Sequence, residues 1–357
     1  MTLKTKRLLV PAFALSTMQL FGANYSYTIS QGDQVDLTEA LGGIPNTGDY
    51  VTISGPSDSA LSDSWVNIDA DFGVNYMTIN NGAVVKGTGE HTMTIGTSVT
   101  ITNSAQGTSS LVLGGTGDAN RFNLTVMGSG GSNKDILIGC DTSAGSSTLE
   151  LSGYVNVKAT NRLDLGNGRN GSQIQPQGDA KLLVSGKYNN LSIYSFNIGQ
   201  QWISQTDGSA IVEIVGSTHT LEATAAFRLT GGEGTSADNI VGGALSFVAD
   251  ADGISTLKVG ATQALTGVIL LDLREFAPTL GELNEFNLIS YSGLQDTYQE
   301  WIDNLSETHF KAIGADNVGL EAREDGLYAT YTAVPEPAAF AAVFGALALA
   351  FAAHRRR

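Results

Sequence analysis

The feature that most constrains the fold of this chain is a repeat of about thirty residues in its middle part. Two columns of apolar residues align when the repeats are stacked. The first column, at spacings of 27, 33 and 31 residues, consists of Ile138, Leu165, Ile198 and Leu229. The second, at spacings of 33, 30 and 33 residues, consists of Leu151, Val184, Ile214 and Phe247. One repeat cannot bury its own apolar side, but stacked repeats can, which is the principle of a solenoid.

A third strand-like piece occurs in each repeat, at Val155, at Leu191 and, less regularly, at Thr220. Three short strands with Gly- and Asn-rich corners form one coil of a parallel β-helix. We therefore predict an all-β fold, a parallel β-helix or β-solenoid, with the right-handed coil usual for such folds. A β-sandwich also accommodates short strands with frequent turns, but it does not require the repeat spacing. Alternation predicts inward pairs at 163/165, 196/198 and 227/229, and an outward column of Asp164, Asn197 and Arg228.

The composition agrees with a fold rich in turns. Charged residues are 15% of the chain, against about 25% in ordinary domains, and 43 of 357 residues are Gly. Apolar residues are 42%, too many for a disordered Gly/Ser chain. The single cysteine, Cys140, cannot form an internal disulfide, and we interpret it as a small buried residue. Residues 24–333 contain 13 basic and 34 acidic residues, a net charge of −21, which argues against nucleic acid as a partner.

The N-terminus has the layout of a secretory signal peptide. Lys4, Lys6 and Arg7 precede an apolar stretch that runs to Phe21, and the small residues Gly22 and Ala23 follow. We predict a signal peptide over residues 1–23 and export through the Sec translocon. Phe21 is bulky for the −3 position of a cut after Ala23, so the sequence does not fix which peptide bond is cleaved.

The C-terminus has the layout of a stop-transfer segment. Residues 338–353 form an uncharged run that would be about 24 Å long as a helix, slightly short of a hydrocarbon core. We predict a transmembrane helix there, with the protein body outside and the terminal arginines retained inside, because basic residues resist crossing. Two prolines stop the helix from extending backwards and leave an accessible peptide before it. The peptide is Val334, Pro335, Glu336 and Pro337, and the retention cluster is Arg355, Arg356 and Arg357.

This tail resembles the PEP-CTERM sorting signal of Gram-negative bacteria that produce exopolysaccharide. The resemblance covers about 24 residues, with Pro-Glu-Pro, the short apolar helix and the arginines in the expected order. It implies that the chain is an exosortase substrate, cleaved near the motif by this membrane-embedded enzyme and then released or transferred to the cell surface. A plain membrane anchor without processing is the alternative. The repeats, for example residues 147–172, also resemble the β-helical passengers of autotransporters.

Residues 267–333 differ from the repeats in their residue pattern. This pattern predicts a β-rich C-terminal cap on a solenoid of residues 24–266. Two predicted strands rich in large apolar residues begin at Gly267 and Glu285, and a predicted hairpin closes the segment. A capping-box-like start at Asp296 predicts a short helix between them. Its predicted buried face consists of Leu294, Tyr298, Trp301, Ile302 and Leu305. A cap would cover the open end of the solenoid and suppress aggregation.

Few residues suggest chemistry. Alternation in the run from Val66 to Phe72 places Asp69 and Asp71 on one outward face, where they could bind calcium or flank a sugar bond, although any solvated strand face has the same pattern. Three aromatic residues close in sequence could stack on carbohydrate, although core packing is the commoner fate: Tyr188, Tyr194 and Trp202. The four histidines show no metal-ligand spacing, so we expect neither a metal nor a cofactor.

These observations lead to the expectation of a non-enzymatic protein. We expect an inner-membrane-anchored precursor that becomes a cell-surface or extracellular-matrix protein with a structural or adhesive role and with exopolysaccharide as a candidate partner. The alternative is a β-helical polysaccharide lyase or glycoside hydrolase, because parallel β-helices support both reactions.

Overall fold

The computed structural model describes residues 22–56, 63–103, 107–127, 135–140, 145–166, 178–199, 208–278, 281–291 and 296–332. Two helices, α1 (Leu37–Leu41) and α2 (Asp296–His309), accompany the strands. The strands are β1 (Asn24–Thr28), β2 (Gln34–Asp36), β3 (Tyr50–Ser54), β4 (Trp65–Ile68), β5 (Phe72–Asn80), β6 (Val84–Thr88), β7 (Thr92–Ile101), β8 (Thr108–Gly114), β9 (Phe122–Val126), β10 (Asp135–Ile138), β11 (Ser146–Leu151), β12 (Val155–Leu165), β13 (Ala180–Val184), β14 (Asn190–Ile198), β15 (Ser209–Val215), β16 (Thr220–Leu229), β17 (Gly242–Val248), β18 (Leu257–Val259), β19 (Thr262–Leu265), β20 (Val268–Asp272), β21 (Leu283–Ser290), β22 (Phe310–Ile313), β23 (Gly319–Arg323) and β24 (Gly326–Thr332).

The strands form two long sheets of stacked coils. Among the described residues, the larger sheet runs β1-β3-β5-β7-β10-β12-β14-β16-β18-β21-β24-β23, with β9 beside β7 and β12 and β19 beside β16. The smaller sheet runs β2-β4-β6-β8-β11-β13-β15-β17-β20-β22. Successive strands of each sheet pair in parallel until β24, which is antiparallel to both of its neighbours. The chain therefore folds as an all-β parallel β-helix, as the repeat predicts.

The apolar columns read from the sequence are columns of the interior. Ile138, Leu165, Ile198 and Leu229 are register partners in the larger sheet. Leu151, Val184, Ile214 and Phe247 are register partners in the smaller sheet. All eight side chains are buried in one continuous core. The columns form because parallel coils in register place equivalent residues directly above one another, so each coil must supply an apolar side chain there.

Two of the three strand-like pieces of each repeat are joined into one bent strand. In β12 the first part pairs with β9 and the second part pairs with β10, and the register shifts between Ala159 and Arg162. Similar shifts interrupt the pairing of β5 with β7 and of β14 with β16. Such irregularities bend a strand, so one strand covers two faces of the coil and the smaller sheet supplies the third.

The outward column of the repeats is a chain of hydrogen bonds. Asn197 Nδ2 donates to Asp164 Oδ1 at 2.6 Å, and Arg228 Nη1 donates to Asn197 Oδ1 at 3.1 Å. Asp164 and Asn197 are buried although they point away from the apolar core. Cys140 is also buried, as predicted, with Sγ 3.3 Å from the carbonyl oxygen of Asp164.

The C-terminal end has the strand, helix and hairpin order that the sequence predicts, and β23 and β24 form the antiparallel hairpin. Tyr298 and Trp301 of α2 are buried, and Trp301 Nε1 donates to the carbonyl oxygen of Gly267 at 3.4 Å. Parallel pairing continues past residue 266, because β20 pairs with β17 and β22 pairs with β20. The side chains of Leu294 and Leu305 lie outside the described part of the chain.

Candidate functional site

The prediction that Asp69 and Asp71 share an outward strand face is wrong. Strand β4 ends at Ile68 and β5 begins at Phe72, so both aspartates lie in the corner between two strands. The carboxylate of Asp69 accepts the backbone N–H of Thr38 at 3.1 Å, in the first turn of α1, and also the Thr38 hydroxyl. Asp71 Oδ1 accepts the backbone N–H of Thr92 at 2.8 Å. The two carboxylates therefore bind different neighbouring coils, because a corner turns successive side chains in different directions.

Asp250 also has a structural role. One carboxylate oxygen accepts the backbone N–H groups of Asp252 and Gly253, and the other accepts the backbone N–H and hydroxyl of Ser217 in the preceding coil. Burial acts to raise the pKa of Asp250, but these hydrogen bonds outweigh it and hold the pKa below its ordinary value. The Asp250 carboxylate therefore joins two coils through its hydrogen bonds.

The sequence-predicted aromatic residues have different surroundings. Tyr188 is 42% exposed and lies in the corner before β14, whereas Tyr194 is 54% exposed and lies at the bend within β14. Trp202 lies outside the described residues, as do the motif at Val334, Pro335, Glu336 and Pro337, the apolar run 338–353 and the arginines Arg355, Arg356 and Arg357.

Tyr188 has an aromatic partner one coil away. The rings of Tyr154 and Tyr188 are 5.6 Å apart between centroids and tilted by 46°. Both residues have a left-handed backbone, with φ of 54° and 55°. That conformation costs a non-glycine residue about 1–2 kcal/mol, and glycine would adopt it freely. Strain of this kind is often retained where the side chain has a function.

Arg121 joins the two tyrosines. Its guanidinium lies 5.9 Å from the centre of the Tyr154 ring, and Nη1 donates to the backbone carbonyl oxygen of Tyr188 at 2.6 Å. Nη2 donates to Asp118 at 2.5 Å, so the positive charge is paired. The arginine thus reaches across two coils and fixes the corner that carries both rings.

A column of asparagines runs up the outer surface beside this corner. Asn156 Nδ2 donates to Asn123 Oδ1 at 2.8 Å, and Asn190 Nδ2 donates to Asn156 Oδ1 at 2.8 Å. Arg121 Nη1 lies 3.4 Å from Asn156 Oδ1. The asparagines occupy the same register position of β9, β12 and β14. We call Arg121, Tyr154, Tyr188 and this asparagine column the tyrosine–arginine patch.

The buried layer under the same corner supports the patch. His219 Nε2 lies 2.8 Å from the Val215 carbonyl oxygen, so Nε2 carries the proton and Nδ1 accepts the backbone N–H of Asn189 at 3.3 Å. Burial is the main cause that lowers the pKa of His219. His219 also donates its backbone N–H to the hydroxyl of Ser255 in the next coil. His219 therefore connects three successive coils, with its imidazole bonded to the preceding coil and its backbone N–H to the next.

The patch can bind a ligand through aromatic faces and side-chain amides, but it does not bring together two free carboxylates. Tyrosine rings offer an apolar face with a polar tip, and the asparagines offer both donors and acceptors. These are the groups that recognise the C–H faces and hydroxyls of a sugar. Sequence reasoning found Tyr188 but missed Tyr154, Arg121 and the asparagines. The spacing of the asparagines, 33 and 34 residues, is a signal that was available in the sequence.

The described residues contain no cluster of three or more His, Cys, Asp or Glu side chains that could hold a metal ion. Within the same part of the chain, no helix has both the length and the apolar character needed to span a membrane. Comparison with known proteins found no match to a family model, to a curated protein or to a solved structure.

Proposed function

We propose that this chain is an exported β-solenoid protein of a Gram-negative bacterium, with a structural and adhesive role at the cell surface or in the extracellular matrix. Its precursor is anchored in the inner membrane, and exosortase processes it at residues 334–337. The two ends of the sequence support this export route. The last described strand ends at Thr332, and the motif begins two residues later in the sequence, at Val334.

The tyrosine–arginine patch is the observation that carries the adhesive part of the proposal. Two adjacent coils hold tyrosine rings side by side on strained backbone, and one arginine fixes both. We propose that the patch contacts exopolysaccharide. A neutral polymer fits best, because residues 24–333 carry a net charge of −21 and would repel an anionic one.

The change Tyr188→Gly tests the patch. It removes the ring but keeps the backbone groups that bind Arg121 and Thr218, and glycine relieves the strain of the positive φ. We expect about tenfold weaker binding to neutral exopolysaccharide, as for a loss of about 1.4 kcal/mol, with little change in thermal stability. Tyr194→Ala is the matched control, because it removes an exposed tyrosine at the bend of β14, the strand that follows Tyr188. Equal binding by both variants would refute a role for the patch.

Mass mapping of the C-terminus of protein recovered from native cells and medium tests the sorting part. An end near residues 334–337 supports exosortase processing. An intact Arg357 in the membrane fraction would mean that the tail is a plain anchor.

The enzymatic alternative is tested on the same purified protein. Incubation with polysaccharides of the native envelope should leave their length distribution unchanged in size-exclusion chromatography. Depolymerisation that is absent from a mock preparation would overturn the non-enzymatic proposal.

A further inference from the structure

The first coil contains a buried carboxylate for which the described residues provide no cation. Asp49 is only 5% exposed. Its Oδ2 accepts the backbone N–H of Asn46 at 2.7 Å, and its Oδ1 accepts the backbone N–H of Ala23 at 2.7 Å. In the part of the chain that the structure describes, these two amides donate to its side chain. A buried carboxylate normally has a positive partner, because amides alone compensate its desolvation incompletely.

Ala23 belongs to the folded body. Its carbonyl oxygen accepts the backbone N–H of Tyr50 at 2.9 Å, which continues the parallel ladder of β1 with β3 by one residue. Both backbone groups of Ala23 are therefore fixed at the segment that contains Asp49. A cut after Ala23 would remove a residue that the first coil uses.

We infer that the mature protein begins at Ala23, and that the new α-ammonium group of Ala23 is the cationic partner of Asp49. This inference rests on the proposed export route. A membrane-bound leader peptidase would add water to the carbonyl carbon of Gly22 and break the bond to the nitrogen of Ala23. Gly22 then leaves with a carboxylate, and the amine of Ala23 takes up a proton. The nitrogen already lies 2.7 Å from Asp49 Oδ1, so a neutral hydrogen bond becomes a charge-assisted one without movement of the chain.

The residue at −1 agrees with this position. A cut after Gly22 keeps a small residue at −1 and moves the bulky Phe21 to the unrestricted −2 position, but Leu20 at −3 is also larger than the small residues usual there. The position of the cut is therefore inferred from the folded contacts of Ala23 and not from the sequence. Cleavage occurs while the chain is being translocated, before the first coil forms. The contact between Gly22 and Gly48 in the folded chain therefore does not block it.

The first experiment expresses the full chain in a Gram-negative host and determines the N-terminus of the exported protein by mass spectrometry. We expect Ala23 as the first residue. A first residue of Asn24, or of any other position within the exported chain, overturns this inference and leaves the export proposal standing. Retention of Met1 in protein that stays inside the cell overturns both.

The second experiment tests the ion pair on the exported protein. Selective acetylation of the α-amine at mildly acidic pH removes its charge, and we expect the melting temperature to fall by about 2 °C. In the Asp49→Asn protein, acetylation should change the melting temperature by less than half as much, because no carboxylate is left to pair. An equal fall in both proteins would mean that the ammonium does not interact with Asp49, and would overturn the inference.

Discussion

Phe227 provides the sharpest test of the stacked-coil core. Its side chain is fully buried, and its ring lies 6.1 Å from that of Phe196, its register partner in the preceding coil, in an edge-to-face arrangement at 60°. Burial of such a ring contributes about 2–3 kcal/mol, and the aromatic pair adds about 1 kcal/mol. Because the substitution also leaves a cavity, Phe227→Ala should lower the free energy of unfolding by about 4 kcal/mol. This is a large part of the stability of an ordinary domain.

Urea unfolding followed by tryptophan fluorescence and circular dichroism measures this loss. Trp65 lies in β4 near the N-terminal end and Trp301 lies in α2 at the C-terminal end. The chain has three tryptophans, so variants that lack Trp202 and keep only Trp65 or only Trp301 report on each end separately. We expect both ends to lose stability, because each coil is held by its neighbours. Tyr194→Ala, at an exposed position, should change the free energy by less than about 0.5 kcal/mol.

A loss below about 1.5 kcal/mol for Phe227→Ala would refute the argument, since it would mean that the ring is not enclosed between coils. The double variant with Phe196→Ala adds an independent check. The two losses should be non-additive by about 1 kcal/mol, because the first substitution already removes the pair interaction.

Three further predictions follow from single contacts. The free energy of unfolding should fall as the pH drops below about 6.5. The pKa of buried His219 is lowered in the folded protein, so the unfolded chain takes up the proton first. Between pH 7.5 and 5, the urea midpoint should therefore fall less in the His219→Gln variant than in the unchanged protein. Gly87→Ala should destabilise the protein by about 1–3 kcal/mol in thermal unfolding, because the new Cβ would lie 2.4 Å from the Phe122 ring. Gly117→Ala is the control and should be close to neutral, because nothing lies within 4 Å of its new Cβ. Asp69→Ala should lower the free energy of unfolding by about 1 kcal/mol in the same assay, because the first turn of α1 loses its carboxylate acceptor. An unchanged melting temperature would argue against that contact.

The repeat columns show what could be predicted. Spacing and alternation alone predict that Leu165 and Ile198 are equivalent, and they are register partners in the structure. This succeeds because a parallel coil imposes the same requirement, an apolar side chain facing inward, at the same place in each turn. Alternation failed at Asp69 and Asp71, because the strand ends at Ile68 and a corner has no two-residue period. Helix α1 was not predicted either, since its five residues are too few to show a helical period.

Sequence alone therefore determined the all-β solenoid, the inward and outward sides of its regular strands and the cap order at the C-terminal end, because these depend on period and spacing. Only the tertiary structure decided how the corners are built. It placed Tyr154 beside Tyr188 and brought Arg121 to both, and it put the nitrogen of Ala23 against the buried carboxylate of Asp49. These contacts join residues 26 to 67 positions apart. Their geometry depends on the backbone at each turn and on how neighbouring coils stack, which no local pattern specifies.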